Sequence, residues 1–215
     1  MNLVTLTHPQ SAAAEAYRTL RTNLYFATLD APAKIVVITS PSVAEDKSLA
    51  AANLAVVLAQ AEQQIVLVDA DLRRPSLHTL LGAQNGPGLA EVLAEGADLQ
   101  SVLQHTSVPG LTLLPSGRIP DNPSDLLNSS RMKAILAALR SQADLVLLDT
   151  PPALVASDAA ILASQSDGVV LILTAGRTRR EQAQAAKDAL VRAHARLLGA
   201  VMLNGPKHSR ALRYG

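Results

Sequence analysis

Ile35-Val-Val-Ile-Thr-Ser-Pro-Ser-Val-Ala-Glu-Asp-Lys47-Ser48 sets an apolar strand, a short turn, Lys-Ser and the start of an Ala-rich helix in direct succession. This is the layout of a phosphate-binding loop. Backbone N–H groups at a helix start carry partial positive charge, and an adjacent ammonium strengthens that preference for an anion. The usual pattern is Gly-x-x-x-x-Gly-Lys-Ser/Thr. Here Pro41 and Asp46 occupy the two glycine positions. The stretch therefore implies a nucleotide-binding scaffold whose phosphate loop has been altered.

Outward from this loop, short apolar runs alternate with helical patterns. Strands are predicted at Ile35–Thr39, Ile65–Val68, Leu111–Leu114, Leu145–Leu148, Val169–Leu173 and Ala200–Leu203. Most are unbroken rather than alternating, as in a sheet covered on both faces. Helices are predicted at Ser11–Leu29, Lys47–Glu62, Ser124–Gln142, Ser157–Ser164 and Arg179–Arg196. Such alternation gives an α/β fold with a mostly parallel, doubly wound sheet flanked by helices. Ligands in these folds bind beyond the carboxyl ends of the strands. That rule singles out 40–48, 69–74, 149–152, 176–177 and Asn204.

The 215 residues fit one α/β domain spanning 1–215. Residues 1–30 carry the N-terminal helix, and 205–215 form a short basic tail expected to be mobile. Aromatics make up 2% of the chain, so Ala, Leu and Val must fill the core. A net charge of +1 without a Lys/Arg block gives no nucleic-acid footprint. With no cysteine, disulfides and thiolate metal sites are excluded. No apolar run reaches the length of a membrane span, and the first residues lack the pattern of a signal peptide. A cytoplasmic location is expected, with any recruitment to the membrane's inner face coming through a partner.

Three segments carry chemistry. Lys47 can reach phosphate oxygens and Ser48 can ligate Mg²⁺, although Lys-Ser alone would also suit an ordinary loop–helix junction. Ile65-Val-Leu-Val-Asp69-Ala-Asp71-Leu-Arg73-Arg74-Pro75 ends a buried strand in two carboxylates that project to one side. They could hold Mg²⁺ or take a proton from a hydroxyl nucleophile, or simply pair with the arginines. Leu145-Val-Leu-Leu-Asp149-Thr-Pro-Pro152 has the form of a Walker B segment, whose Asp orders Mg²⁺.

Together with Glu15-Ala-Tyr-Arg18-Thr-Leu-Arg21-Thr-Asn23, Gly88-Leu-Ala-Glu-Val-Leu93, Leu114-Pro-Ser-Gly117, Asn122-Pro-Ser-Asp-Leu-Leu127, Ser157-Asp158-Ala159 and Gly199-Ala-Val-Met-Leu-Asn204, these segments occur in a familiar order. The chain resembles the cytoplasmic domain of the bacterial tyrosine kinases (BY-kinases) of capsule and exopolysaccharide export. These belong to the deviant-Walker ATPases, with the MinD and ParA types, and the resemblance covers nearly the whole chain. It implies a P-loop NTPase-like three-layer sandwich that binds ATP or ADP with Mg²⁺. It places Ser42, Val43, Ala44, Glu45, Asp46, Lys47, Ser48 and Leu49 around the phosphates, with Arg177 and Asn204 beside the nucleotide. Ser48, Asp69 and Asp149 would hold the metal. Asp71 would be the base for a tyrosine hydroxyl, with Lys47 and Arg73 as further catalytic groups. Glu15, Arg18 and Arg21 match the family's assembly motif, implying a ring or other homo-oligomer. A membrane-spanning polysaccharide co-polymerase or activator is the implied partner.

The chain departs from this family at two places. The family loop reads Pro-Gly-Glu-Gly-Lys-Ser/Thr where this one reads Val43-Ala44-Glu45-Asp46-Lys47-Ser48. A non-Gly residue forced into a left-handed conformation costs about 1–2 kcal/mol. A carboxylate about 4 Å from a phosphate charge costs on the order of 4 kcal/mol at an effective dielectric near 20. Asp46 is thus expected to weaken ATP binding, or to pair with Lys47 or an Arg and occupy the phosphate position itself. The tail keeps one tyrosine, Tyr214, where the family has a phosphorylated cluster. Tyr17 and Tyr25 are expected to be packing or interface residues. Three readings result: a pseudokinase or scaffold with impaired ATP binding and autophosphorylation, an active kinase phosphorylating a C-terminal Tyr in trans, and a MinD/ParA-like positioning ATPase.

Overall fold

The computed structural model describes residues 3–205. Seven strands form one sheet: β1 Ile35–Thr39, β2 Ile65–Asp69, β3 Gln104–His105, β4 Leu111–Leu114, β5 Leu145–Asp149, β6 Gly168–Thr174 and β7 Leu197–Leu203. Their order is β3-β4-β2-β5-β1-β6-β7. Every pairing is parallel except that of β3 with β4. The helices are α1 Val4–Thr7, α2 Ala12–Ala27, α3 Lys47–Ala59, α4 Leu77–Leu81, α5 Leu89–Glu95, α6 Leu99–Val102, α7 Pro123–Leu127, α8 Ser130–Gln142, α9 Asp158–Ala163 and α10 Arg180–Arg192.

The unbroken apolar strands follow from two cores. Val36, Ile38, Leu67, Leu147 and Ile172 pack toward α2, α3 and α4. Val37, Val68, Val146, Leu148 and Leu171 pack toward α5, α8, α9 and α10. Alternate residues of each strand thus enter opposite layers, both dry, giving the expected three-layer sandwich. α3 is buried along nearly its entire length because α1 and α2 cover its outer side. Thr5 fixes α1 there, donating from its N–H and its hydroxyl to Asn53 Oδ1 at 3.1 and 2.9 Å.

The sequence expectations differ from the structure mainly at element ends. The helix predicted to Glu62 stops at Ala59, and Glu62 has φ 64°. Ser124–Gln142 divides into α7 and α8, because Ser129 leaves helical geometry to accept a bond from Met132 N–H as an N-cap. β7 begins at Leu197, three residues before the predicted Ala200. The two-residue β3 and the short helices α1, α4, α5 and α6 carry too little periodicity to announce themselves. Among the described residues no helix is long and apolar enough to cross a membrane.

Candidate active site

β1, β2 and β5 are adjacent or nearly so, and their carboxyl ends open on one cleft. Register places Asp69 directly opposite Asp149 across β2 and β5. Both are fully buried, and Lys47 and Asp71 are nearly so. The Lys47 ammonium donates to Asp71 Oδ2 at 3.0 Å, Asp149 Oδ1 at 3.2 Å and the Ser48 hydroxyl at 3.2 Å. Ser48 in turn donates to Asp149 Oδ2 at 2.5 Å. Asp71 Oδ1 accepts from Arg74 N–H, and Asp69 Oδ2 accepts from Ser76 and Leu77 N–H. Lys47, Ser48, Asp69, Asp71 and Asp149, five positions expected to act together, thus do lie together.

Their electrostatics follow from burial. Desolvation and then the Asp149 charge push the Asp69 carboxyl up to about 7, against the pull of Leu77 and Ser76 N–H and of Lys47. Burial likewise raises the Asp149 carboxyl despite Lys47 beside it. For Lys47 burial opposes the charge, but the two carboxylates outweigh it and hold its pKa above the ordinary lysine value. One ammonium thus serves two carboxylates, while the third, Asp69, has no cation in contact among the described residues.

The carboxylate that folds back within the loop is Glu45, at the position where the family loop also has Glu. It is buried, with Oε2 accepting from Ser42 N–H at 3.1 Å and the Ser42 hydroxyl at 2.9 Å. Its Oε1 accepts from the Thr178 hydroxyl, in the turn between β6 and α10, at 2.8 Å. Arg177 donates to Ala44 O at 3.2 Å, tying a second point of the loop to the same turn. The expectation that Asp46 would pair with Lys47 or an Arg is corrected. Asp46 is exposed at the N-terminal end of α3, and none of the ion pairs among the described residues involves it. Its charge is instead felt by Tyr17 on α2, whose hydroxyl burial and then Asp46 push up to about 12. The expected left-handed strain is absent as well. No residue from 40 to 48 has positive φ, and Asp46 itself sits at φ −80°. Without glycine the loop has settled into an ordinary conformation rather than a strained one.

The remaining expected residues are more scattered. The Arg73 guanidinium clasps Asp158 at 2.8 and 3.2 Å and donates to Ser124 at 3.0 Å, at the start of α9 and in α7. Asn204 is exposed in a turn past β7 with φ 53°. Val43 is exposed at the rim of the cleft, and Leu49 is half-buried in the first turn of α3. Glu15 and Arg18 form an exposed pair at 2.7 Å. Arg21 instead donates to Val57 O at 2.9 Å, a last-turn carbonyl of α3. The three charges are therefore not one free stripe. Tyr17 packs against the α3 side of the core, whereas Tyr25 is exposed. Tyr214 lies outside the described residues. Thr178 and Ser124 are not singled out by the sequence. Only their contacts reveal them, since a lone Thr or Ser after a strand carries no pattern.

Oxygen ligands suit Mg²⁺, which is usually held by one or two carboxylates together with substrate phosphates. Among the described residues Asp69 Oδ1 is a buried acceptor with no hydrogen-bond partner, and Asp149, itself bonded to Ser48, faces it across the two strands. The residues therefore fit such a cation. Among the described residues no three His, Cys, Asp or Glu side chains could hold a metal alone, so phosphate or water oxygens would complete the shell. The cleft itself measures about 360 Å³, between the loop, Asp71, Arg74 and Pro152. A separate cavity of about 320 Å³ beneath α2 shares none of its residues.

An AAA-domain family model matches residues 33–181. The chain is 44% identical over 214 residues to tyrosine-protein kinase YwqD of Bacillus subtilis (strain 168), covering 100% of this chain and 90% of that one. It is 36% identical over 198 residues to tyrosine-protein kinase etk of Escherichia coli (strain K12), covering 92% of this chain but 27% of the longer relative. Among solved structures, the kinase domain of Escherichia coli tyrosine kinase ETK superposes with a TM-score of 0.93 at 34% identity, over 100% of this chain and 85% of that one.

Proposed function

This chain belongs to the bacterial tyrosine-kinase family, and we propose that it is a member whose own phosphate loop is altered. It serves as a pseudokinase or scaffold of capsule or exopolysaccharide biosynthesis, with ATP binding and tyrosine autophosphorylation impaired. The observation that carries this reading is Asp46, which stands at the start of α3 where the family loop has glycine, in a loop with no positive φ from 40 to 48. Lys47 is already engaged, by Asp71 and Asp149. A nucleotide must reorient Lys47 and tolerate Asp46 before it gains the loop's full set of contacts. Calorimetric titration of the full chain with ATP·Mg²⁺ is expected to show no binding at micromolar concentrations. Micromolar affinity would sink the reading.

One observation favours the active alternative: the carboxylates and Lys47-Ser48 remain together. In that reading Lys47 and the α3 start hold the phosphates, and Ser48, Asp69 and Asp149 hold Mg²⁺. The metal would neutralise charge developing on the phosphoryl oxygens. Asp71 takes the tyrosine proton as the phenol oxygen bonds to phosphorus and ADP leaves. Arg73, paired with Asp158, holds the turn after Asp71 and lines the same cleft as a further catalytic group. This reading requires phosphotyrosine at Tyr214 after incubation with ATP·Mg²⁺, lost in Lys47→Met. Near-complete coverage by a relative named as a tyrosine kinase counts against the positioning-ATPase reading.

Residues 1–215 act as one domain, at the cytoplasmic face, with copies of the chain and a membrane-spanning co-polymerase or activator as partners. Assembly runs through α2. Arg18 pairs with Glu15 and also holds Pro9 O, as Arg21 holds Val57 O at the end of α3. Arg18→Glu is expected to shift light-scattering mass toward the monomer by more than Arg18→Gln, which loses the same internal bonds without reversing the charge. An unchanged mass would remove α2 from the interface.

A further inference from the structure

We propose that Asn204-Gly205, just past β7, is a self-modifying site. The asparagine side chain closes on the glycine nitrogen to a cyclic imide, which water opens to aspartate and isoaspartate. The inference rests on the end of β7 alone and is independent of whether the cleft takes a nucleotide.

Two asparagines of this chain precede glycine, Asn85 and Asn204. Glycine matters because it has no Cβ to shield its nitrogen or to restrict the backbone during ring closure. The fold treats the two pairs in opposite ways. Asn85 Nδ2 donates to Gly117 O at 3.0 Å, and its Oδ1 accepts from Gly117 N–H at 3.2 Å. Gly117 is in turn packed against Glu91. The Asn85 amide cannot turn onto Gly86 without giving up both bonds. Asn204 has no such clamp. Leu203 O accepts from Ala175 N–H at 2.9 Å, so the sheet holds the chain as far as Leu203. Asn204 follows, exposed, at φ 53°. Among the described residues neither its side-chain amide nor the Gly205 N–H is hydrogen-bonded. Gly205 is also uncrowded: a Cβ built on it would meet nothing nearer than Met202 Cγ at 3.7 Å.

The step balances without a cofactor. Hydroxide takes the Gly205 amide proton, and the nitrogen attacks Asn204 Cγ. The Cγ–Nδ2 bond breaks, and ammonia leaves with a proton from water. Water then adds to one of the two imide carbonyls and breaks its bond to nitrogen. Attack at Cγ gives aspartate. Attack at the main-chain carbonyl gives isoaspartate, which lengthens the main chain by one carbon where it leaves the sheet. Either product adds one negative charge and takes the net charge from +1 to zero.

The test is incubation of the full chain in warm, mildly alkaline buffer, followed by peptide mass mapping and isoaspartyl methyltransferase labelling. Asn204 is expected to be lost at least about tenfold faster than Asn85, because two hydrogen bonds guard the latter. Isoaspartate should appear at 204, and isoelectric focusing should show the more acidic species at the same rate. Gly205→Val should suppress the loss. In concentrated urea the rates at the two sites should converge, since the clamp on Asn85 is gone. Equal rates in the folded protein would overturn the proposal, as would a difference that persists in urea. Loss of the Asn204 amide without isoaspartate would also overturn it, because direct hydrolysis makes none.

Discussion

Asp69→Asn is expected to be more stable than the parent protein at neutral and mildly alkaline pH, by up to about 4 kcal/mol, in metal-free buffer. Burial and Asp149 raise the Asp69 carboxyl from 3.8 to about 7 in the folded chain. Between those values the folded state holds a proton that the unfolded chain has lost. The parent's stability must therefore fall as pH rises from about 4 to about 7, and level off above. The amide keeps an oxygen for the Ser76 and Leu77 N–H groups and cannot ionise. Asp149, which burial also raises, contributes in the same direction in both proteins, and Asp167 does not obscure this window. Burial favours its neutral form, but donors from Arg140, Ile35 and Lys34 prevail and lower its pKa, so its contribution is lost only in more acidic solution. Lys47, raised from 10.5, loses its contribution only in strongly alkaline solution. Urea denaturation of both proteins across the window reads the effect directly. A stability difference that is the same at mildly acidic and mildly alkaline pH would show that Asp69 does not titrate between them.

What could be read from the amino-acid order follows from how local each determinant is. Ile35–Thr39 and Leu145–Leu148 announce buried parallel strands because all their residues are apolar. Strand ends then locate the carboxylates, and Asp69, Asp71, Asp149, Lys47 and Ser48 do converge. Partner choice was not legible. The carboxylate within the loop turned on which acidic neighbour can fold back onto Ser42 and meet Thr178, 133 residues away. Glu45 does this, and Asp46 points outward at the start of α3. Arg73 could not be assigned either, since its partner Asp158 lies 85 residues on. Gly88 and Gly117, part of family-like segments, have structural work. A Cβ on Gly88 would come within 2.2 Å of Pro115 O, and Gly117 has φ 79° beside Glu91. Spacing cannot separate such packing constraints from chemistry.

Restoring glycine at the two positions where the family loop carries it, Ala44→Gly with Asp46→Gly, should raise affinity for ATP·Mg²⁺ by at least tenfold in calorimetry, about 1.4 kcal/mol or more. Two effects add. Glycine lets the loop visit positive φ, which the present residues avoid throughout 40–48. Loss of the Asp46 carboxylate removes a charge that repels phosphate, though its exposure lets solvent screen part of the repulsion. Asp46→Asn separates the two, since it removes charge while keeping a side chain. Glu45→Gln separates them further: the buried carboxylate gives way to a neutral amide, which holds Ser42 and Thr178 less strongly. If Glu45 is the main obstacle, Glu45→Gln gains more than Asp46→Asn. If the backbone is the obstacle, both gain little and the double glycine variant gains most. Should none of the three bind ATP·Mg²⁺ better than the parent, the loop is not what limits binding. The defect would then lie deeper, in the grip of Asp71 and Asp149 on Lys47, which no substitution between residues 44 and 46 can loosen.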